Sequence, residues 1–128
     1  MTQTVTNLGV NQNIVFDKVF LNLGDGYHSN QGVFIAPTSG IYLFSASVTS
    51  DSKNTSHEFD ACVTRNGECL ARILGHGDSS RNDQGSATVT VSLQPNDEVW
   101  IKHMWPAGAG LRGQYFTSFT GLMLVHSL

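Results

Sequence analysis

One run of alternating side chains, residues 41–48, constrains the fold more than any other part of the chain. Side chains in a β-strand point alternately to opposite faces of the sheet, and one face of this run is entirely apolar. The residues on that face are Tyr42, Phe44, Ala46 and Val48. The opposite face also begins with apolar residues, Ile41 and Leu43. Because a strand that is apolar on both faces is normally covered on both sides, we expect residues 41–48 to form a central strand.

Turn residues divide the remainder of the chain into short candidate strands. Pro37 and Gly40 form a corner before residue 41, since proline removes a ladder donor and glycine permits positive φ. The other candidate strands cover residues 3–15, 16–23, 32–36, 59–74 as a hairpin, 84–93, 98–105 and 115–125. No stretch of about ten residues shows helical spacing without a glycine, proline or β-branched interruption. The sequence therefore predicts an all-β protein, either a two-sheet sandwich or a barrel.

The hairpin carries both cysteines of the chain, Cys62 and Cys69. It is expected to turn at Asn66-Gly67, a dipeptide that tolerates the positive φ of tight turns. If these two residues form the loop, the cysteines are diagonal neighbours about 7–8 Å apart, which exceeds the roughly 4.4–6.8 Å usual between disulfide Cα atoms. This register predicts free thiols. A four-residue loop would place the cysteines opposite each other, and a secreted setting would then favour the bond.

A family resemblance extends from residue 16 to residue 44. Seven positions repeat the spacing of a known signature: Phe16, Asn22, Tyr27, Phe34, Gly40, Tyr42 and Phe44. The chain thereby resembles the complement C1q globular-head family. Phe119 and Gly121 resemble positions of the family's last strand, and residues 95–100 resemble the turn that leads into the strand before it. The sequence departs from the pattern at Ala46, where the family usually has another aromatic residue.

The resemblance implies a ten-stranded jelly-roll sandwich of two antiparallel sheets, like that of tumour necrosis factor, assembled as a homotrimer. It covers nearly the whole chain, so we expect residues 1–128 to be a single C1q-like domain with no collagen stem. It also implies secretion. Residues 1–15 have neither the charged start nor the apolar core of a signal peptide, so the sequence leaves the source of the export signal open.

The faces of the strands support assembly independently. In residues 84–93 the sequence predicts one core face (Ala87, Val89, Val91 and Leu93) and one hydroxyl face (Ser86, Thr88, Thr90 and Ser92). In the hairpin it predicts two apolar faces, Phe59, Ala61 and Val63 against Cys62, Ala71 and Ile73. Together with the apolar faces of residues 41–44, these faces provide more apolar surface than a single core can bury. We therefore expect further copies of the chain to cover part of it.

Composition excludes several classes of partner. The net charge is −3 and the pI is near 5.9, so the chain lacks the basic surface that nucleic acids and anionic membranes attract. Its longest apolar run is far too short to span a membrane. We therefore expect no nucleic-acid partner and no membrane insertion.

No motif in the chain supports catalysis. The glycines at 108, 110 and 113 match a dinucleotide-binding pattern, but the chain that follows resembles a strand where that motif needs a helix. The five histidines are scattered, and no spacing supplies a base for Ser79. We therefore expect neither enzymatic activity nor a cofactor. Calcium stays an alternative, because four aspartates occur in loops: Asp25, Asp51, Asp78 and Asp83.

The loops are the best candidates for function, since a jelly roll gathers several of them at one end. Cationic groups there could pair with a carboxylate or phosphate, and aromatic rings could stack on a sugar. The candidate ligand-binding residues are Lys53, His57, Asp78, Arg81, Trp105, Arg112 and Tyr115. Asn54 begins the glycosylation sequon Asn-Thr-Ser, although a bare loop is an equal alternative.

By analogy with the family, we expect a secreted recognition protein of innate immunity. Such a protein would bind microbial or self glycans, or anionic ligands such as sialic acid or lipopolysaccharide, through the loops of a homotrimer. The alternative is a signalling ligand similar to tumour necrosis factor, which would bind a cell-surface receptor in the grooves between protomers. The fold alone does not decide between these functions.

Overall fold

The computed structural model describes residues 1–53 and 57–126, and these residues form eleven β-strands. The strands are β1 (Val5–Leu8), β2 (Gln12–Asn13), β3 (Tyr27–His28), β4 (Val33–Ile35), β5 (Gly40–Thr49), β6 (Glu58–Arg65), β7 (Glu68–His76), β8 (Gln84–Leu93), β9 (Glu98–Trp105), β10 (Ala109–Leu111) and β11 (Ser118–His126). The described part of the chain contains no helix, so none of it forms a helix that could cross a membrane. The all-β prediction is confirmed.

Two antiparallel sheets enclose the core. The smaller sheet has the order β11-β5-β8, and the larger has the order β3-β4-β9-β6-β7, with β2 also paired to β9. β1 and β10 form a separate pair. β5 is the middle strand of the smaller sheet, which confirms the prediction of a central strand. The faces predicted for β8 are also confirmed, because Val91 and Leu93 are buried and all four hydroxyl residues of that strand are exposed.

Aromatic rings fill the space between the sheets. Phe44 is completely buried, and its ring centroid lies 5.2 Å from that of Phe34 and 5.8 Å from that of Phe119. Phe44 pairs with Gly121 on the neighbouring strand. A Cβ atom at Gly121 would lie only 2.6 Å from the Phe44 ring, so glycine makes room for the ring. The signature aromatics are therefore packing residues.

A β-bulge in β7 changes the face of half the hairpin. The turn at Asn66-Gly67 is confirmed, since Arg65 pairs with Glu68. One step further the register shifts, and Val63 lies opposite Ala71 because β7 contains one extra residue there. Ile73 consequently faces the core opposite Ala61. The prediction that Ala71 and Ile73 share the outer face with Cys62 was wrong, because the bulge reverses the alternation that the prediction assumed.

The prediction of free thiols was also wrong. Cys62 and Cys69 form a disulfide, with their Cα atoms 5.8 Å apart. Because a bulge bends its strand and increases the local twist, Cys69 comes closer to Cys62 than the diagonal of a regular ladder allows. The predicted two-residue turn and the disulfide therefore coexist, and no four-residue loop is needed.

We expect the double variant Cys62→Ala/Cys69→Ala to lose about 2.5 kcal/mol of unfolding free energy, the chain-entropy value for a closed loop of about eight residues. Urea denaturation at fixed protein concentration measures the loss. Reduction of the wild type should lower its midpoint similarly and leave the double variant unchanged. If the wild type and the variant share one midpoint, the disulfide does not stabilise the fold.

Candidate functional site

Three polar segments meet at the end of the sandwich where β5 ends and β8 begins. We call this region the loop end; it comprises residues 50–53, 57, 77–83 and 112–117. The Ser50 amide donates a hydrogen bond to the Asp83 carbonyl at 2.8 Å, and the Ser52 amide donates to Asn82 Oδ1 at 2.6 Å. The Gly77 amide donates to the carbonyl of His57 at 3.0 Å. These bonds hold the first two segments together.

The third segment is joined to the first through Arg112. Its amide donates to the Thr49 carbonyl at 2.9 Å, and its guanidinium Nη2 donates to Gln114 Oε1 at 3.0 Å. Its Nη1 lies 3.9 Å from Asp51 Oδ1, and its Cζ lies 5.8 Å from the ring centroid of Phe116. The Asp51 side chain is only 7% exposed, so its carboxylate approaches the guanidinium from the buried side. Arg112 is thus held in one place with 26% of its side chain exposed.

Gln84 completes this connection, although nothing in its sequence context singled it out. Its side-chain Nε2 donates to Thr49 Oγ1 at 2.8 Å and to the Phe116 carbonyl at 2.9 Å. It thereby ties the first residue of β8 to the loop that carries Arg112. Its partners lie far away in sequence, so only the folded chain reveals this role.

Asp78 organises the loop that carries Arg81. Its Oδ1 accepts hydrogen bonds from the Ser80 amide and hydroxyl, both at 2.8 Å, and from the Arg81 amide at 2.9 Å. The bonds from Ser80, amide first, lower the pKa of Asp78 below its ordinary value, so the carboxylate stays charged. Its predicted ligand-binding role is therefore accompanied by a structural one: Asp78 fixes the turn from which Arg81 projects.

Lys53 and Arg81 present the free cations of the loop end. Both residues are exposed, and within the described part of the chain neither side chain has a hydrogen bond or an ion pair. His57 is half-buried, and its electrostatic interaction is the last and smallest of the causes acting on the pKa of Asp78, which it helps to lower. The structure thus brings Lys53, His57, Asp78, Arg81 and Arg112 to one end of the molecule. Asn54 lies outside the described residues.

Within the described residues, the two aromatic candidates, Trp105 and Tyr115, do not pack with the cationic side chains of the loop end. Trp105 ends β9 opposite Asp60 and is 56% exposed on the outer side of the larger sheet. Tyr115 follows Arg112 closely in sequence but packs on Phe20, with ring centroids 5.9 Å apart. The structure therefore places Trp105 on the outer face of the larger sheet, and it turns the ring of Tyr115, which belongs to a loop-end segment, onto Phe20.

The aspartates considered for calcium have protein partners or lie apart. Asp83 accepts hydrogen bonds from the amides of His76, at 2.7 Å, and Gln84, at 3.0 Å. Asp25 lies at the opposite end of the sandwich, next to Gly26, whose carbonyl accepts a bond from Ile35. Across residues 1–53 and 57–126, no three His, Cys, Asp or Glu side chains are grouped as metal ligands.

The outer face of the smaller sheet has a polar half and an apolar half. Near the loop end it carries hydroxyls, with Ser45 bonded to Thr88 at 3.1 Å and Ser47 to Ser86 at 2.8 Å. Toward the other end it carries apolar side chains that we call the apolar patch: the half-buried Leu43 and the exposed Ile41, Leu122, Leu124 and Val125. An apolar cavity of about 500 Å³ lies beside the patch, between residues 16–23 and β11.

The comparisons with known proteins agree with this architecture. The family model of the C1q domain matches residues 1–124. The heavy metal-binding protein HIP of Mytilus edulis is 31% identical over 127 residues, which cover 97% of this chain and 57% of that protein. The chain spans between 37% and 57% of the length of six curated relatives that it matches.

Solved structures show the same jelly-roll fold. The globular domain of zebrafish complement 1qA has a TM-score of 0.80 at 15% identity, over 98% of this chain and 94% of that one. The Eiger tumour necrosis factor of S. frugiperda has a TM-score of 0.71 at 13% identity, over 98% and 85% of the two chains. The predicted C1q and tumour-necrosis-factor fold class is confirmed, and the match along residues 1–124 decides the family. This chain belongs to the C1q-domain family.

Proposed function

We propose that the protein is a secreted, homotrimeric recognition protein of innate immunity that binds glycans and other anionic ligands of microbial or self surfaces at the loop end. It acts without chemistry of its own. The observation that carries the proposal is the convergence of Lys53, Arg81 and Arg112 on hydrogen-bonded loops at one end. A guanidinium presented on a fixed frame binds carboxylates and phosphates at a low entropic cost.

The apolar patch supports trimer formation. Four exposed apolar side chains and the half-buried Leu43, on two neighbouring strands, form a contiguous surface, and surfaces of this kind mark contacts with other protein chains. The hydroxyl half of the same face would supply part of the polar rim that surrounds the apolar centre of a typical interface. A trimer would place three loop ends on one side of the particle, so avidity would compensate for weak single sites.

Secretion is supported by the Cys62–Cys69 disulfide. Disulfides form and persist in oxidising compartments and are rare in the cytosol, and this one joins neighbouring strands of the folded domain. A disulfide-bonded recognition domain therefore suits an extracellular setting.

The proposal is tested on a glycan array with wild type, Lys53→Ala and Arg81→Ala. Because a hydrogen bond to a charged group contributes about 1.5–3 kcal/mol, each variant should lose roughly tenfold or more in affinity for sialylated or otherwise anionic glycans. Arg65→Ala is the matched control, since Arg65 is paired with Glu68 beside the hairpin turn at the opposite end. Its binding should equal that of the wild type.

A flat array, or an equal loss in the Arg65→Ala control, would overturn the proposal. Tight binding of the wild type to a single cell-surface protein, unaffected by free glycans, would favour the signalling-ligand alternative instead. Before each array, sedimentation should show that the variant forms the same trimer as the wild type. A loss of affinity can then be distinguished from a loss of assembly.

A further inference from the structure

A second β-bulge turns Trp105 to the surface. His103 is fully buried and faces the core opposite Ala61. Regular alternation along β9 would send Trp105, two residues later, to the core as well. The register instead shifts between Ala61 and Asp60, so Trp105 lies opposite Asp60 and Met104 is the extra residue. The bulge thus re-aims a large aromatic side chain away from the core, an arrangement that is common beside binding sites.

Two acid–base pairs lie next to this ring. The Arg72 guanidinium Nε donates to Asp60 Oδ1 at 3.0 Å, and its Nη2 donates to Asp60 Oδ2. At the first residue of β6 and the last residue of β7, His76 Nδ1 lies 2.8 Å from Glu58 Oε2. Each pair retains unused capacity, because a carboxylate oxygen has two lone pairs and Arg72 Nη1 is unbonded within the described residues.

The row of residues through Asp60 has an exposed side chain on each side. Asp60 pairs with Trp105 on one side and with Leu74, which is 68% exposed, on the other. This row lies on the outer face of the larger sheet, whereas the apolar patch lies on the outer face of the smaller sheet. Assembly through the patch would therefore leave the ring of Trp105 open to solvent.

We propose that Trp105, with Asp60 and Arg72, forms a second binding platform that takes an uncharged sugar ring. This inference rests on the proposed function, glycan recognition, and divides it between two sites. The apolar face of a pyranose would lie on the indole, while its hydroxyls would hydrogen-bond to the Asp60 carboxylate and the Arg72 guanidinium.

The charge of the platform selects for an uncharged ligand. Asp60 and Arg72 neutralise each other, whereas Lys53 and Arg81 at the loop end have no ion pair among residues 1–53 and 57–126. A fully charged ligand would gain little net attraction there, whereas a hydroxyl group can donate to the carboxylate and accept from the guanidinium. Asp60 separates the Trp105 ring from Leu74, the other exposed apolar side chain of the row, so a polar group lies beside the ring. The platform therefore fits a neutral sugar.

The test uses the two indole N–H signals of the whole protein, which contains only Trp100 and Trp105. Methyl β-galactoside and N-acetylglucosamine serve as neutral probes in an NMR titration, and N-acetylneuraminic acid serves as the anionic probe. A Trp105→Phe variant assigns the signals. At least one neutral probe should shift the Trp105 signal in a saturable manner and leave the Trp100 signal in place, because Trp100 is half-buried inside the sheet.

Variants separate the two sites. Trp105→Ala should lower the affinity for the neutral probe at least tenfold and leave binding of anionic glycans unchanged, while Arg81→Ala should do the reverse. Trp105→Phe keeps an aromatic face and should retain most of the neutral binding. An unmoved Trp105 signal with every neutral probe, or an unchanged affinity in Trp105→Ala, overturns the platform alone. If Arg81→Ala binds anionic glycans as tightly as the wild type does, the loop-end proposal is overturned instead.

Discussion

The variant Leu122→Asp is expected to sediment as a single subunit of about 13.9 kDa, whereas the wild type is expected to sediment as a particle of about three times that mass. Leu122 lies opposite Leu43 in the centre of the apolar patch and is 47% exposed in the isolated chain. In the trimer it would be covered by a neighbouring copy. Burying an unpaired carboxylate there costs several kcal/mol in each subunit, which is enough to dissociate the assembly at micromolar concentration.

The control for this experiment is Leu74→Asp. Leu74 is a more exposed leucine on the outer face of the larger sheet, so the same substitution there should leave the trimer intact. Sedimentation velocity over a range of concentrations measures both variants. A wild type that sediments as one subunit at micromolar concentration, or a trimer that survives Leu122→Asp, would contradict assembly through the patch.

The second large effect is expected at Phe44. Removing a fully buried phenylalanine ring costs about 3–5 kcal/mol of unfolding free energy, because the transfer free energy is lost and a cavity remains. The cavity would be poorly filled, since the nearest residue on β11 is Gly121, which has no side chain to move into it. For a domain of this size, we expect Phe44→Ala to lower the melting temperature by roughly 10–20 °C.

The matched control is Phe116→Ala, which removes an identical ring that is half exposed at the loop end. Its cost should stay below about 1 kcal/mol, since little buried surface is lost. Both variants are compared at one protein concentration, because the proposed trimer formation would make the melting temperature depend on concentration. Equal shifts in the two variants would show that Phe44 is not the centre of the core.

The sequence alone determined the features that depend on local alternation. The apolar face of residues 41–48 became the core face of β5, and the hydroxyl face of β8 became its exposed face. The Asn66-Gly67 dipeptide formed the predicted turn. Each of these follows from side chains that alternate along one strand, or from backbone preferences at one turn. No distant partner is needed to infer them.

The candidate site could be predicted only in part. The cations at positions 53, 81 and 112 were recognisable as loop residues, and the fold brings their loops together. Asp60 and Arg72 could not be paired from the sequence. A two-residue turn followed by a regular ladder places Arg72 on the core face, whereas the bulge in β7 places it outside, next to Asp60. The available signal was that Leu70 and Ile73, both large and apolar, lie three positions apart, a spacing that regular alternation would place on opposite faces.

The tertiary structure alone decided which side chains each bulge would display. A bulge adds one residue to one strand and reverses the facing of every residue beyond it. In β7 this reversal buried Ile73, and in β9 it exposed Trp105. The bend and twist of the β7 bulge also brought the cysteines within bonding distance. The register at these points depends on pairing and twist across the whole sheet, so side-chain alternation along one strand could assign the strands but not these faces.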